Sequence, residues 1–247
     1  MKQFMTPLLS IIVPTLSVDL ELRRCIDSVE LTIPDFTLWE LVLVLPKGTS
    51  GATAFSEATA LYPRARIIVE SRPSVYAAMN DGAAASTGRY LYFLGKDDIL
   101  LPSMCEVLKL VASVSPSALF ADVYWGTRGL RKGRTSRWQI LFVNACHQGI
   151  IYSRESFAVH GPYIRRFRMH ADQLLNIRLF WDEGIRQRMI YMPRPIALYS
   201  GTGISSRTFD ANFVRVQPAI IQRFIGPVPA CLWRVFKWFR LRWHRGN

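Results

Sequence analysis

At 247 residues, half of them hydrophobic, the chain can bury one sizeable core and is too apolar to be disordered. Its 31 Lys and Arg against 18 Asp and Glu leave a formal net charge of +13, which favours an anionic partner: nucleic acid, a phosphate-bearing substrate or an acidic membrane surface. Cys25, Cys105, Cys146 and Cys231 form no CxxC pair, so their spacing suits neither a zinc site nor a disulfide framework and predicts free thiols in a reducing compartment.

The opening MKQFMTPLLSIIVP carries one Lys and a short apolar run, which does not read as a signal peptide. No stretch reaches the roughly 18 apolar residues of a spanning helix. Leu8 to Val13 predicts a first strand, broken at Pro14 and Thr15. Leu20 to Glu30 has helical spacing, with Leu22, Ile26 and Val29 on one face. Trp39 to Leu45 is a second buried strand, Ala52 to Leu61 a helix and Arg66 to Val69 a third strand. Val75 to Ala85 is helical, and Tyr90 to Leu94 is a short apolar run suited to a central strand. This β-α-β-α-β-α-β alternation implies an α/β fold, a Rossmann-like, mainly parallel sheet with helices on both faces. In the second half, Ala118 to Trp125, Gln148 to Tyr152 and Met189 to Met192 read as strands, the last ending at Pro193, and Asp172 to Trp181 as a helix. Arg128 to Arg137 reads as a basic loop and Ser200 to Arg207 as a flexible polar one.

The stretch Gly88 to Pro102, GRYLYFLGKDDILLP, is the chemical centre. Gly95, Lys96, Asp97 and Asp98 follow the fourth strand directly, and Pro102 suits the start of a helix. Ligands of open α/β sheets bind outside the carboxyl ends of the strands. Two carboxylates there either hold a divalent cation through oxygen or form a turn that caps the next helix.

From Pro229 the chain reads PACLWRVFKWFRLRWHRGN. At 100° per residue, Leu232, Phe236, Phe239 and Trp243 fall within roughly 60° of one another, while Arg234, Arg242 and Arg245 group away from them. Trp233 and Trp238 sit towards the basic side. This is a basic amphipathic helix, suited to an anionic membrane interface or to docking on the core with its Arg face in water.

The blocks Ser10-Ile-Ile-Val-Pro-Thr15, Tyr76-Ala-Ala-Met-Asn-Asp-Gly82, Ala85-Ser-Thr-Gly-Arg-Tyr90, Phe93-Leu-Gly-Lys-Asp-Asp98, His147-Gln-Gly149 and Ala171-Asp172 resemble family 2 glycosyltransferases of the GT-A fold. The resemblance is to enzymes that build colanic acid, O-antigen and related bacterial polysaccharides, and it covers about residues 8 to 205. It implies a GT-A domain over 1–228, with a nucleotide-sugar half to about residue 125, an acceptor half from about 126, and residues 229–247 as a membrane-associating tail. It implies inverting transfer of a sugar from a nucleotide-sugar to a lipid-linked or oligosaccharide acceptor, one on polyprenyl diphosphate above all, at the cytoplasmic face of a bacterial inner membrane. The implied cofactor is Mg²⁺ or Mn²⁺, held by Asp98 with Asp97 beside it, and the implied general base is Asp172. Pro14, Thr15, Arg72, Tyr76 and Asn80 match donor-side positions; His147 and Gln148 match the acceptor side. Arg72 could equally be a surface residue, His147 a buried hydrogen-bonded one, and Asp172 a carboxylate favoured by a helix dipole.

Two departures stand out. After the second strand the family carries an Asp that contacts the base; here the sequence is Leu45-Pro46-Lys47-Gly48. The Asp that opens Asp-Ala-Met-Asn in the family is Ala77. They support a second expectation, a degenerate member that binds without catalysing. A third, a nucleic-acid-binding protein, rests only on net charge and the Arg128–Arg137 loop; with no stacking platform and no recognised motif, nucleic acid is not expected as a partner.

Overall fold

A computed structural model describes residues 6–201 and 210–243; side chains beyond Val235 lie outside the description. The first half alternates as predicted: β1 (Leu9–Pro14), α1 (Leu20–Thr32), β2 (Trp39–Leu45), α2 (Thr49–Leu61), β3 (Arg66–Val69), α3 (Val75–Ala85) and β4 (Tyr90–Phe93). Then come β5 (Ile99–Leu100), α4 (Met104–Val114), β6 (Ala118–Trp125), β7 (Leu130–Arg131), β8 (Ile150–Ser153), α5 (Arg154–His160), α6 (Ala171–Trp181), α7 (Glu183–Arg186), β9 (Met189–Tyr199), α8 (Ala211–Ile225) and α9 (Pro227–Trp243).

One sheet runs in the order β3-β2-β1-β4-β8-β6-β9-β5, with β7 on β6. The strands β3, β2, β1 and β4 are all parallel. β8 enters antiparallel between β4 and β6, while β9 runs parallel to β6. Alternation along β1 sends Leu9, Ile11 and Val13 to one face, against Leu22, Ile26 and Val29 of α1 and Met104 and Val107 of α4. Ile12, with Val42, Val44 and Phe93, faces the other side, against Met79 of α3 and Leu175 of α6. These side chains are buried, each contributing roughly 1.5–3 kcal/mol on removal from water.

The order 2-1-4 places the topological switch between β1 and β4, where a crevice opens at the strand ends. Pro14-Thr15 and Gly95–Asp98 therefore meet at one place, although 79 residues of sequence lie between them.

Three expectations are corrected. β9 does not stop at Pro193. Met192 pairs with Ala121 and Pro195 with Asp122, so Pro193 and Arg194 bulge from the ladder and the strand runs on to Tyr199. Bulges host prolines because they need no ladder N–H. His147–Gly149 forms a 3₁₀ turn, so Gln148 precedes the strand rather than lying in it. The basic stretch contains β7, and its arginines stack: Arg128 and Arg131 over Trp125 at 5.0 and 4.6 Å, Arg137 over Trp138 at 4.7 Å. All four cysteines are free thiols.

Helix α9 does form. Ala230 is buried, and Trp233 meets the Phe142 ring edge-on at 4.9 Å, so the side of Trp233 faces the body of the protein. Val228, Leu232 and Val235 are exposed. The side chains from position 236 on, and the loop positions 202–207, lie outside the description.

Candidate active site

The β4 strand end delivers the acids. Leu94 still donates its N–H to the Ile12 carbonyl, at 3.1 Å, and Gly95 then turns the chain. The Gly95 N–H donates to Asp98 Oδ2 at 3.0 Å, Gln148 Nε2 donates to the same oxygen at 2.8 Å, and the Ser200 N–H donates to Oδ1 at 3.0 Å. Asp98 is only 1% exposed. Burial, with the neighbouring charge of Asp97, pushes its carboxyl above the usual range, against the pull of the Gln148 and Ser200 donors and His147. Asp97 accepts the Ser200 hydroxyl. Lys96, between Gly95 and Asp97, turns away to Asp19 and to Glu21, the latter at 2.9 Å.

The third acid comes from the first turn of α6. Asp172, 6% exposed, accepts the Tyr76 hydroxyl on Oδ1 and the Asn144 amide on Oδ2, both at 2.7 Å. Burial and the adjacent Asp172 hold the Tyr76 hydroxyl well above its ordinary pKa, so it stays a proton donor to the carboxylate. The two neutral donors orient Asp172 and leave lone pairs free. Asn144 and Gln148 lie four residues apart, so one short segment holds Asp172 through one amide and Asp98 through the other.

Both acids line a single cavity of about 1210 Å³. Pro14, Thr15, Tyr76, Asp97, His147 and Gln148 line it too. Arg72 and Asn80 do not. Arg72 is exposed in the turn before α3. Asn80 spends both ends of its amide on the Tyr163 backbone, at 2.9 Å each, and so braces α3 against the second half of the chain. Gln148, matched by resemblance to the acceptor side, reaches Asp98 at the end of β4, because antiparallel β8 starts beside β4. His147 is half-buried on the cleft wall.

Sequence reasoning did not reach Asn144, Ser200 or Glu70, nor the arginines that line the cleft. Arg165, Arg166 and Arg168 line the cleft and are exposed, on a segment seated by buried Tyr163, Phe167 and Met169. Their alternation with apolar residues is a sequence signal. The contacts of Asn144 and Ser200 carry none, since they join residues 28 and 102 positions apart. Among the described residues no group of three or more His, Cys, Asp or Glu is arranged to hold a metal ion.

The fold is that of GT-A glycosyltransferases. It is similar to Staphylococcus aureus TarS 1-349, solved with UDP-GlcNAc, at TM-score 0.67 and 13% identity over 90% of this chain and 69% of that one. It is also similar to the mannosyltransferase PcManGT of Pyrobaculum calidifontis, solved with GDP-Man and Mn²⁺, at TM-score 0.59 and 15% identity over 91% of this chain and 66% of that one. Among curated proteins, the PGL/p-HBAD biosynthesis glycosyltransferases of Mycobacterium bovis and Mycobacterium tuberculosis are 35% identical over 221 residues, 86% of this chain and 84% of theirs. The sequence model of Glycosyl transferase family 2 matches residues 10–152, more than half of the chain, and the chain belongs to that family.

Proposed function

We propose that the chain transfers a sugar, with inversion, from a nucleotide-sugar to a lipid-linked glycan acceptor, polyprenyl diphosphate being the carrier, at the cytoplasmic face of a bacterial inner membrane. The observation that carries this reading is the joint placement of Asp97, Asp98 and Asp172 in one cavity, the last two held by a single segment. Residues to about 125 form the nucleotide-sugar half, and residues from about 126 to 228 the acceptor half. Asp172 takes the proton from the attacking acceptor hydroxyl, oriented by Tyr76 and Asn144. The arginines at 165, 166 and 168 suit phosphate groups brought by either substrate. Structures of neighbours with UDP-GlcNAc and with GDP-Man support a nucleotide-sugar donor.

The residues fit a divalent cation. Mg²⁺ is commonly held by one or two carboxylates plus substrate phosphates rather than by an all-protein cage. Asp98 with Asp97 supplies that pair, side by side at the end of β4 and lining the cleft. When bound there, Mg²⁺ or Mn²⁺ offsets charge developing on the departing nucleoside diphosphate. The alternative, a binding protein without catalysis, draws on the absence of acids at Pro46 and Ala77.

The test is sugar transfer with UDP-, GDP-, dTDP- and CMP-sugars, chosen first by thermal shift. With metal present, Asp98→Ala is expected to lose at least about a hundredfold in turnover. Asp172→Asn is expected to lose on the order of 10²- to 10⁴-fold while still binding donor. Unchanged turnover in Asp98→Ala removes that residue from the mechanism. Failure of any nucleotide-sugar to bind favours the alternative.

A further inference from the structure

Asn176 is a fully buried polar residue that the reaction above does not use. It sits on α6 four positions beyond Asp172, so the two share a helix face. A buried amide is costly unless both its ends are bonded. Here they are: Nδ2 donates to Asn144 Oδ1 at 3.3 Å, and Oδ1 accepts the Tyr152 hydroxyl of β8 at 2.9 Å. Asn144 in turn donates to Asp172 Oδ2 at 2.7 Å. The donors therefore all point one way, from Tyr152 to Asn176 to Asn144 to Asp172. Asn144 and Asp172 line the cleft, while Tyr152 and Asn176 lie behind them, each 0% exposed.

An ionised carboxylate is acceptor-only, so Asn144 turns its N–H to Asp172 and its carbonyl away. That carbonyl needs a donor, and Asn176 is the one that meets it. Burial, and then the charge of Asp172, hold the Tyr152 hydroxyl above its ordinary pKa, so the head of the chain keeps its proton. We propose that Asn176 is a positioning residue for the transfer: it anchors the carbonyl end of Asn144 and so keeps the N–H end on the carboxylate that takes the acceptor's proton. This rests on the reading of Asp172 as general base. Without the anchor, the half-buried Asn144 amide turns to the cleft for a partner, and of the two donors on Asp172 only Tyr76 stays fixed.

The test is a double-mutant cycle on sugar transfer, with Mn²⁺ and the nucleotide-sugar selected by thermal shift. Asn176→Leu keeps the shape of the amide without its polarity. It is expected to lower kcat at least about tenfold, as loss of one charge-assisted hydrogen bond does, with KM for the nucleotide-sugar unchanged. Tyr152→Phe keeps the ring against Phe93 and Phe157 and is expected to lower kcat by less. In an Asn144→Ala background neither change is expected to cost more, because Asn176 acts through Asn144. Losses that add in full, or an unchanged kcat in Asn176→Leu, refute the role. Should Asn176→Leu fail to fold, Tyr152→Phe carries the cycle. The side-chain amide NMR signal of Asn144, assigned by its absence in Asn144→Ala, needs no substrate. It is expected to shift in both variants, and a signal unmoved by either refutes the chain. Asp172→Asn, run alongside, separates the two readings. If it is slow while Asn176→Leu is not, only the positioning role falls; if it turns over like the wild type, both fall together.

Discussion

Gly95 shows how narrowly a single position constrains the site. Its backbone is unstrained, but a Cβ there would meet Asp98 Oδ2 at 2.5 Å and Asp97 Oδ1 at 3.0 Å. Both contacts are side-chain oxygens, which can move, so Gly95→Ala is expected to fold with nearly the wild-type melting temperature. The carboxylates move instead, and misplacement by about 1 Å at a reacting centre can cost around a hundredfold. A melting curve and a transfer assay on the same preparation check this; a large loss of stability, or full activity, contradicts it. Asp98, Asp172 and Tyr76 were legible because each sits in a short motif beside a strand end or helix start. Asn144, Ser200 and Glu70 were not, because each acts through contacts that only the fold creates. Gln148 was legible as a site residue, but its hydrogen bond to Asp98 was not. The resemblance matched it to the acceptor side, and only the antiparallel entry of β8 shows that it also reaches the acid at the end of β4.

Among the elements, α1 is tied to the β4–β5 turn by a clamp at Lys96, besides the Cys25 thiol, which donates to the Gly95 carbonyl at 3.4 Å. Asp19 caps α1 through the Leu22 N–H at 3.1 Å, and Lys96 reaches it from the turn that carries Asp97 and Asp98. Partial burial works to raise the Asp19 carboxyl, but Lys96, the Ser17 hydroxyl and the Leu22 N–H outweigh it and hold the group down at about 2, against an ordinary 3.8. A carboxyl lowered on folding contributes stability that is complete above its unfolded value and fades as pH falls towards the folded one. Asp19→Asn keeps the cap, since Asn caps helices well, and removes only the charge. It is therefore expected to cost about 1 kcal/mol or less near neutrality, as solvent-screened pairs do. That gap from wild type should shrink between about pH 4 and pH 2; urea midpoints at several pH values check it, and a gap constant down to pH 2 refutes the clamp. The elements themselves were legible wherever periodicity was local, as throughout the parallel half. β9 was cut short because Pro193 reads as a stop, and only the register shift on β6 shows the strand passing it. Helix α8 was hidden by Pro218 in its interior; its start is set by Asp210, whose carboxylate takes both the Phe213 and the Met169 N–H groups.

For the whole molecule, the question is where +13 charges are used. Three of these cations are already committed to aromatic faces: Arg128, Arg131 and Arg137. Residues 229–247 carry five Lys and Arg and no acid, so removing them takes the formal charge from +13 to +8. The described part of α9 docks by Ala230 and Trp233 and leaves Val228, Leu232 and Val235 to solvent at 67, 66 and 49%. An apolar row exposed on a basic helix is the surface an anionic interface takes up. Each basic residue near such a surface adds about 1 kcal/mol. Deleting 229–247 is therefore expected to weaken co-sedimentation with anionic vesicles by at least about a hundredfold, and the full chain's binding should fall as salt rises. The strand ends of β1–β4 and the first turn of α6 are untouched by the deletion, so nucleotide binding should survive it. The cost falls on Phe142, which lines the cleft and loses the Trp233 ring, and is expected as a fall of a few degrees in melting temperature. Equal vesicle binding by the truncated chain refutes the anchor. Loss of nucleotide binding would instead show that α9 is part of the cleft's wall, acting through Phe142.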